Sequence, residues 1–304
     1  MSSTSVLACV LYTGEPSLAS ALKSLETQRD VDVRLIMIGY HPKHQAHKRL
    51  FETLNRYEAE HEFSIFLGAD MELVEPRLLA SLTAVYRQFP TLDEVMLGVN
   101  DWYSGEPQLG VLSWRRGVRH TLPRSSLFTD VTQSKVRSRV KIHPPLKPLI
   151  LHGVDPSEIQ AIRYGAQRGS KAAVSGKASR WERLEQFVEF AAANPHSGRR
   201  LALAGVLLSL EDADLGMRCI SGEVPLSSDD LNRIRSVADS PHLVDDLNSL
   251  MSDPKLRIRL TLERTDQRTG RWQRPRPVSR LWPVGPKIPL DREAVERTLY
   301  SELG

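Results

Sequence analysis

Strand-like and helix-like segments alternate over the first hundred residues of this 304-residue chain, and this alternation constrains the fold more than any other feature. Short apolar runs at residues 5–11, 33–38, 63–67 and 94–99 have the length and composition of buried strands. Apolar residues at helical spacing separate them, most clearly over residues 76–89. Repeated strand, crossover helix and strand predict an α/β fold with a mostly parallel sheet flanked by helices.

The carboxyl ends of these strands predict where a site lies. Ligands bind beyond the carboxyl ends of the strands in sheets of this kind, where the connecting loops converge. Three polar or glycine-containing segments follow the first three strands, at residues 13–15, 39–41 and 68–72. We therefore expect the site to be built from these segments.

The chain after residue 99 divides into three parts by composition. Residues 110–114 and 139–142 are short strand candidates between polar loops, and residues 156–171 form a predicted helix. A small-residue stretch, 172–179, is a linker candidate. We therefore predict a first domain over 1–175, a helical extension over 176–253, and a basic, Pro/Arg/Trp-rich tail over 254–304 that ends in a short helix.

Charge and apolar content narrow the class of protein. The formal net charge is +4, but residues 251–290 alone carry ten Lys or Arg against three acids. Such a cluster favours anionic partners without choosing among them. No apolar run is long enough to span a bilayer and no basic leader precedes the first strand, so we expect a cytoplasmic protein. Cys9 and Cys219 lie in apolar runs and are expected to be buried, reduced thiols.

Three segments carry a resemblance to a known family. The opening VLACVLYTGEPSLASALKSLETQRDVDVRLIMIG has the family's Leu-x-x-x-Leu-x-Ser-Leu pattern ending in Gln, at Leu18, Leu22, Ser24, Leu25 and Gln28. FLGADMELVEPRLLASL resembles its strand, acidic motif and helix. LHGVDPSEIQAIRYGAQRGSKA resembles a His-x-x-x-Pro-Ser-x-x-Gln-Ala segment of some bacterial relatives. Over about residues 5–175 the chain thus resembles the family-2 glycosyltransferases of the GT-A fold.

This resemblance implies a metal-assisted sugar transfer. The expected donor is a nucleotide-diphosphate sugar, namely a UDP-sugar, and the expected acceptor is a hydroxyl group. Asp70 and Glu72 match the metal-binding acidic motif, and His152 matches a histidine that completes the metal shell. The cation, Mn²⁺ or Mg²⁺, offsets the charge that develops on the departing diphosphate. Gly68 stands where the family has the first Asp of its DxD motif, and Asp70 can alternatively be a turn residue before the next helix.

Further site residues follow from the same resemblance. The donor is expected at Thr13, Glu15, Tyr40, Gly68 and Asp70. An inverting transferase needs a carboxylate that accepts the proton of the attacking hydroxyl. The resemblance places this base several tens of residues after the acidic motif, with Asp130 as the first candidate and Asp101 as the second.

Several alternatives stay open at this point. Trp102 and Tyr103, beside Asp101, can stack on a sugar or lie in the core. His41, His44 and His47 recur at a spacing that allows a metal site, although a solvated helix start is the favoured interpretation. The chain can also be a catalytically inactive nucleotide- or protein-binding module, or a nucleic-acid-associated protein that uses the basic tail.

Overall fold

The computed structural model describes residues 5–39, 41–121, 136–143, 148–175, 178–253 and 290–303. Within it the chain forms two compact units. Unit 1 comprises Met1–Val154 and Ser279–Gly304, and unit 2 comprises Asp155–Val278. The two units therefore divide after Val154, ahead of the boundary that we predicted at residue 175.

Unit 1 is built on one eight-stranded sheet. Its strands are β1 (Ser5–Tyr12), β2 (Asp32–Gly39), β3 (Phe63–Gly68), β4 (Met71–Leu73), β5 (Glu94–Asp101), β6 (Pro107–Arg115), β7 (Arg139–Ile142) and β8 (Ile150–His152). The order is β2-β1-β3-β6-β5-β8-β4. β7 also pairs with β5, along residues 94–97, whereas β8 pairs with β5 at residues 100–101. The predicted strands all form, and the three-residue β4 is an addition that we did not predict.

The sheet is mixed, so the prediction of a mostly parallel sheet holds only in part. β2, β1 and β3 are mutually parallel, and β5 is parallel to both β7 and β8. β6 is antiparallel to its neighbours β3 and β5, and β4 is antiparallel to β8. The physical reason is the short connection over residues 102–106, since parallel strands need a long crossover and a short turn forces a hairpin.

Helices cover both faces of the sheet, as predicted. These helices are α1 (Leu18–Glu26), α2 (Lys43–Arg56), α3 (Leu78–Gln88) and a last helix, Arg292–Ser301, named α10 below. Alternate residues of β1 point to opposite faces. Val6, Ala8 and Val10 lie in the core shared with α1, α3 and α10, whereas Leu7 and Cys9 lie in the core shared with α2.

Helix α10 belongs to the core of unit 1. Val295 and Leu299 are fully buried there, and Tyr300 donates its hydroxyl to the carbonyl of His143 at 3.3 Å. The predicted terminal helix therefore exists, but it packs on the sheet domain and is not merely the end of a tail. Residues 254–289, which carry most of the predicted basic tail, lie outside the described residues.

Unit 2 is helical. Its helices are α4 (Glu158–Ser175), α5 (Ala178–Ala193), α6 (Ser197–Glu211), α7 (Ala213–Ser221), α8 (Ser228–Asp239) and α9 (Leu243–Ser252). The linker expected over 172–179 is wrong in its described part, because α4 continues to Ser175 and α5 begins at Ala178. Ala172 and Ala173 are buried, so their small side chains serve packing and not flexibility. Across the described ranges, no helix combines the length and apolar character required to cross a membrane.

Glycines let α4 and α6 approach closely. A Cβ on Gly165 would lie 1.7 Å from the carbonyl oxygen of Ala202, and one on Gly205 would lie 2.4 Å from that of Ile162. Neither position can therefore hold a larger residue without moving a helix backbone. This packing explains why the helix that the family resemblance assigned to the first domain lies in unit 2.

Candidate functional site

The first three strands end at one edge of the sheet. In the parallel register Leu11 pairs with Gly68 and Tyr12 pairs with Gly39, so β1, β2 and β3 stop side by side. Hydrogen bonds join the segments at the ends of β1 and β3: the Ala69 amide donates to the Leu11 carbonyl at 2.8 Å, and the Ser17 hydroxyl donates to the Ala69 carbonyl at 3.2 Å. The predicted meeting of these strand ends is confirmed.

Two more strand ends join this edge. β5 and β8 are parallel, and Asp101 pairs with His152 at their last residues. The Trp102 amide donates to the carbonyl of His152 at 3.0 Å, and the Gly153 amide donates to the carbonyl of Asp70 at 2.9 Å. These backbone contacts bring together three segments that are distant in sequence.

Asp70, His152 and Asp101 consequently form one cluster. His152 donates from Nδ1 to Asp101 Oδ1 at 2.6 Å, and its Nε2 lies 3.5 Å from Asp70 Oδ2. The exposed fraction of the side chain is 18% for His152, 25% for Asp70 and 1% for Asp101. The imidazole therefore has a buried carboxylate behind it and a solvent-accessible carboxylate in front.

The electrostatics of this cluster favour an ion pair. Burial by itself would lower the pKa of His152, but the charge of Asp70 and the hydrogen bonds to Asp101 and Asp70 outweigh it and raise the pKa to about 10. Burial likewise opposes ionisation of Asp70, yet the charge and hydrogen bond of His152 hold its pKa below the usual value. Without a metal, the imidazolium is thus the proton-bearing partner of two carboxylates at neutral pH.

The surroundings of Asp101 leave no oxygen for an acceptor. Its Oδ2 accepts hydrogen bonds from the Ser104 amide at 3.1 Å, the Ser104 hydroxyl at 2.6 Å and the Gln108 side-chain amide at 2.9 Å. Its Oδ1 is taken by His152. A general base must reach the proton that it abstracts. In this structure the Asp101 carboxylate instead supports His152, which does not favour its predicted role as the base.

The aromatic residues beside Asp101 have different environments. Tyr103 is only 2% exposed, so its core interpretation is the correct one. Its ring lies against Gly153, where a Cβ would be 2.7 Å from the Tyr103 ring and the φ angle is +71°. Trp102 is half-buried and packs edge-on against Tyr103 with a centroid distance of 5.3 Å.

Gly68 makes room for the Asp70 carboxylate. A Cβ at position 68 would lie 2.4 Å from Asp70 Oδ1, closer than any real Cβ contact. The Gly68 amide also points at the Met71 sulfur, at 3.4 Å. The absence of a side chain at position 68 therefore leaves the space that the Asp70 carboxylate occupies.

Glu72 is separated from the cluster by the strand pleat. It lies in β4 opposite Leu151, whereas Met71 lies opposite His152. Paired residues of an antiparallel ladder share a face and successive residues alternate, so the exposed Glu72 side chain points away from the face of His152. The structure brings Asp70 and His152 together and leaves Glu72 apart.

The other residues predicted to bind the sugar donor or to act as the base lie in the loop after β1 or outside the described residues. Glu15 accepts hydrogen bonds from the Thr13 amide at 2.5 Å and the Thr13 hydroxyl at 2.6 Å, in an exposed turn at this same edge. Tyr40 and Asp130 are among the residues that the structure does not describe.

The histidine run does not form a solvated helix face. His47 is buried in α2 at 6% exposure, with Nδ1 at 2.9 Å from the carbonyl oxygen of Lys43. Its ring packs edge-on against Phe66, at a centroid distance of 5.9 Å. The third histidine of the run is thus a core residue, which corrects the favoured interpretation.

The donor atoms at the edge fit a divalent cation that also binds phosphates. Within the described ranges, no three His, Cys, Asp or Glu side chains are arranged as a complete metal site. Mg²⁺ and Mn²⁺ need only one or two protein ligands when water and substrate phosphates supply the others. Asp70 and His152 offer one carboxylate and one imidazole, and the bond from His152 to Asp101 is the usual support of a metal-ligating histidine.

Sequence reasoning missed Ser104 and Gln108. Both contact the buried oxygen of Asp101, although neither belongs to a recognisable motif. A signal was nonetheless present, because Asp101, Ser104, Gly105 and Pro107 are typical residues of a tight turn. Reading that turn as a hairpin would have placed Asp101 and Gln108 on adjacent strands.

The comparisons with known proteins are distant. No family model and no curated protein matches the sequence. Solved structures that match include a mannosyltransferase from Pyrobaculum calidifontis in complex with GDP-Man and Mn²⁺, at 13% identity and a TM-score of 0.35 over 86% of this chain and 87% of that one. TarS of S. aureus matches at 12% identity and a TM-score of 0.32, over 81% of this chain and 55% of that one. Likeness at this level carries no functional argument.

Proposed function

We propose that unit 1 is the catalytic domain of a glycosyltransferase that moves a sugar from a nucleotide-diphosphate donor, a UDP-sugar, to a hydroxyl acceptor. The observation that carries this proposal is the pair of Asp70 and His152 at the carboxyl edge of the sheet, with the buried Asp101 behind the imidazole. The strand ends of an α/β sheet are the usual place for such a ligand. The sequence resemblance supplies the reaction class.

Asp70 and His152 are the residues that would hold a divalent cation, Mn²⁺ or Mg²⁺. When bound, the cation supplies positive charge that offsets the charge developing on the departing nucleoside diphosphate. The chain's own contribution is to fix the two donor groups. His152 is held by the hydrogen bond from its Nδ1 to Asp101. The Asp70 backbone carbonyl accepts a hydrogen bond from the Gly153 amide, and the absence of a side chain at Gly68 leaves room for the Asp70 carboxylate.

The other roles rest on the resemblance and on position. Thr13 and Glu15 lie in the loop after β1, at the edge where the donor would bind, and Tyr40 is the residue that comes after β2 in the sequence. Asp130 is the proposed base that accepts the proton of the attacking hydroxyl, with inversion at the anomeric carbon. Glu72 is a second proposed metal ligand only if β4 rearranges, because its side chain lies on the other face.

Calorimetric titration of UDP and of GDP, each with and without Mn²⁺, tests this proposal on the full chain. We expect nucleotide binding that needs Mn²⁺ and is lost in Asp70→Asn and in His152→Gln. Glu106→Gln is the matched control, since this exposed residue lies in the turn next to Asp101 and its backbone carbonyl, which the substitution keeps, accepts from the Asp101 amide. Absence of binding of both nucleotides to the folded wild-type protein would refute the transferase proposal.

A second candidate function is favoured by Gly68 and by the incomplete metal set. With one acid of the motif replaced, the domain can be a nucleotide-binding module without turnover. Binding and catalysis separate the two: a module binds the nucleotide but leaves a nucleotide-sugar unhydrolysed and untransferred, whereas a transferase slowly releases the nucleoside diphosphate. Salt-sensitive oligonucleotide binding that is lost when the basic residues of 254–289 are neutralised by substitution, with α10 kept, would instead indicate a nucleic-acid function of this segment.

A further inference from the structure

Trp102 keeps part of its ring exposed at the edge of the sheet that carries the candidate site. Of the three tryptophans within the described ranges, Trp114 and Trp181 are 1% and 4% exposed, whereas Trp102 is half-buried. The two buried rings fill the cores of their units. Trp102 instead leaves part of a large, flat apolar surface within reach of a ligand, and exposed surfaces of this kind are typical of binding sites.

Backbone and ring contacts place Trp102 beside the end of β8. Its amide donates to the carbonyl of His152 at 3.0 Å. Its ring lies edge-on to Tyr103 at a centroid distance of 5.3 Å, and the buried Tyr103 ring packs against Gly153, the residue after His152. The indole ring is therefore separated from the chain at the site by one aromatic ring.

The turn that carries Trp102 is held in one conformation. The Gly105 amide donates to the Asp101 carbonyl at 2.8 Å and closes the turn, and Gly105 has a φ angle of +66°. The Ser104 amide also donates to the Asp101 carboxylate, at 3.1 Å. A ligand that contacts Trp102 would meet a surface that is already ordered, which reduces the entropy that binding costs.

The strand order indicates which part of a nucleotide-sugar would lie near Trp102. In the order β2-β1-β3-β6-β5, the strand that leads into Trp102 is three strands away from β1, or roughly 14 Å. In the proposed function the nucleoside lies at the ends of β1 and β2, and the diphosphate lies at Asp70 and His152. The sugar is the part of the donor that follows the diphosphate, so it would extend towards the end of β5.

We propose that the exposed face of Trp102 is the surface on which the hexopyranose ring of the nucleotide-sugar donor stacks. This inference rests on the proposed function and makes Trp102 a residue that distinguishes the nucleotide-sugar from the bare nucleotide. A pyranose ring has a face of C–H groups and a rim of hydroxyl groups, so a flat indole can cover the apolar face while the hydroxyls stay hydrated. Tryptophan supplies this contact at low entropic cost, because it has only two side-chain torsions.

Calorimetric titration of the full chain in the presence of Mn²⁺ tests the stacking surface. The ligands are UDP, UDP-glucose, UDP-galactose and UDP-N-acetylglucosamine, and the UDP-sugar that the wild type binds most tightly is compared with UDP. We expect Trp102→Ala to weaken binding of this UDP-sugar by roughly tenfold and to leave UDP within about twofold, because UDP lacks the stacked ring. Trp102→Phe keeps an aromatic ring and should lose less. Glu106→Gln, in the same turn, is the control and should change neither affinity.

A spectroscopic measurement on the wild-type sequence keeps the test available if Trp102→Ala does not fold in thermal unfolding. The protein is labelled with 5-fluorotryptophan, and the ¹⁹F signal of Trp102 is assigned by its loss in Trp102→Phe. We expect the UDP-sugar to shift this signal and saturating UDP to leave it in place, since only the sugar reaches the ring.

Failure of this inference and failure of the proposed function give different results. If UDP binds but the Trp102 signal responds equally to UDP and to the UDP-sugar, the ring meets the nucleotide and the sugar-stacking role is overturned. An unshifted signal and an unchanged UDP-sugar affinity in folded Trp102→Ala overturn it as well, and in both cases the nucleotide site stands. Absence of UDP and UDP-sugar binding to the wild type refutes the proposed function, and this inference with it.

Discussion

His120 allows a quantitative prediction about stability and pH. The residue is 6% exposed in unit 1, its ring stacks on Phe51 at a centroid distance of 5.4 Å, and it meets Trp114 edge-on at 4.8 Å. Burial lowers the pKa of His120 from 6.5 to about 4. One pKa unit corresponds to about 1.4 kcal/mol, so this shift is worth roughly 3 kcal/mol.

The sign follows from which state binds the proton. Between pH 4 and 6.5 the unfolded chain protonates His120 while the folded protein does not. The free energy of unfolding therefore rises with pH across this window. Its His120 contribution is complete above the unfolded pKa and is lost as the pH falls through the window towards the folded pKa. The slope should reach about 1.4 kcal/mol per pH unit at most, since one proton is involved.

Urea unfolding of wild type and His120→Phe at several pH values measures this contribution. Phenylalanine keeps the aromatic packing and cannot titrate, and the two backbone hydrogen bonds of His120 to the Asn55 side chain are unaffected by the change. We expect the stability difference between the proteins to change by roughly 3 kcal/mol between neutral pH and pH 4. The same experiment on His242→Gln, an exposed position in α9's cap, is the control. A stability difference that is constant with pH would refute the reasoning.

Three further predictions concern the site, unit 2 and the thiols. Glu72→Gln should leave Mn²⁺-dependent nucleotide binding within about twofold of wild type in calorimetry, because the side chain points away from His152; a larger loss would place it in the metal site. Gly165→Ala should destabilise unit 2 by about 3 kcal/mol or more in thermal unfolding, since the new Cβ meets a helix carbonyl. Burial raises the pKa of Cys9 to about 12 and of Cys219 to about 11, so iodoacetamide should alkylate them only after unfolding, as mass spectrometry can show.

Local sequence patterns predicted the parts of unit 1 whose contacts are near in sequence. The first strand is buried on both faces, as its continuous apolar run indicates, and the helix over residues 78–88 lies within the predicted range. The stripe of that helix shows why: Leu78, Leu79, Leu82 and Val85 recur at helical spacing and are all fully buried. The spacing of apolar residues follows from which residues are buried, so it predicts an element well wherever one face of that element packs against one core.

The order and direction of the strands could not be predicted from local sequence patterns. The insertion of β6 between β3 and β5 depends on pairings across many residues, such as Phe63 with Arg115 and Glu94 with Trp114. Neither pairing changes the composition of the strands involved. The position of α10 in the core of unit 1 has the same character, because Val295 and Leu299 form an ordinary amphipathic stripe that does not specify its partner.

The candidate site illustrates the same division. Motif resemblance predicted Asp70 and His152 as metal ligands, and in the structure Asp70 Oδ2 lies 3.5 Å from His152 Nε2. It also proposed Asp101, but as a base, because a carboxylate in a loop cannot be distinguished by sequence from one buried in a hairpin. The role of Asp101 depends on Ser104 and Gln108, and these contacts exist only once β5 and β6 are paired.

Gly68 gives a physical account of the departure from the acidic motif. A side chain at this position would require the Asp70 carboxylate to move, because a Cβ at 68 would lie 2.4 Å from Asp70 Oδ1. With glycine at position 68, Asp70 Oδ1 lies in the space that a side chain there would need, while Oδ2 lies 3.5 Å from Nε2 of His152. The edge of the sheet consequently relies on one accessible carboxylate and one imidazole, and the buried Asp101 provides the second negative charge without exposing it. A cation at this edge would have to draw its remaining ligands from the donor's phosphates and water, which would make metal binding and nucleotide binding mutually dependent.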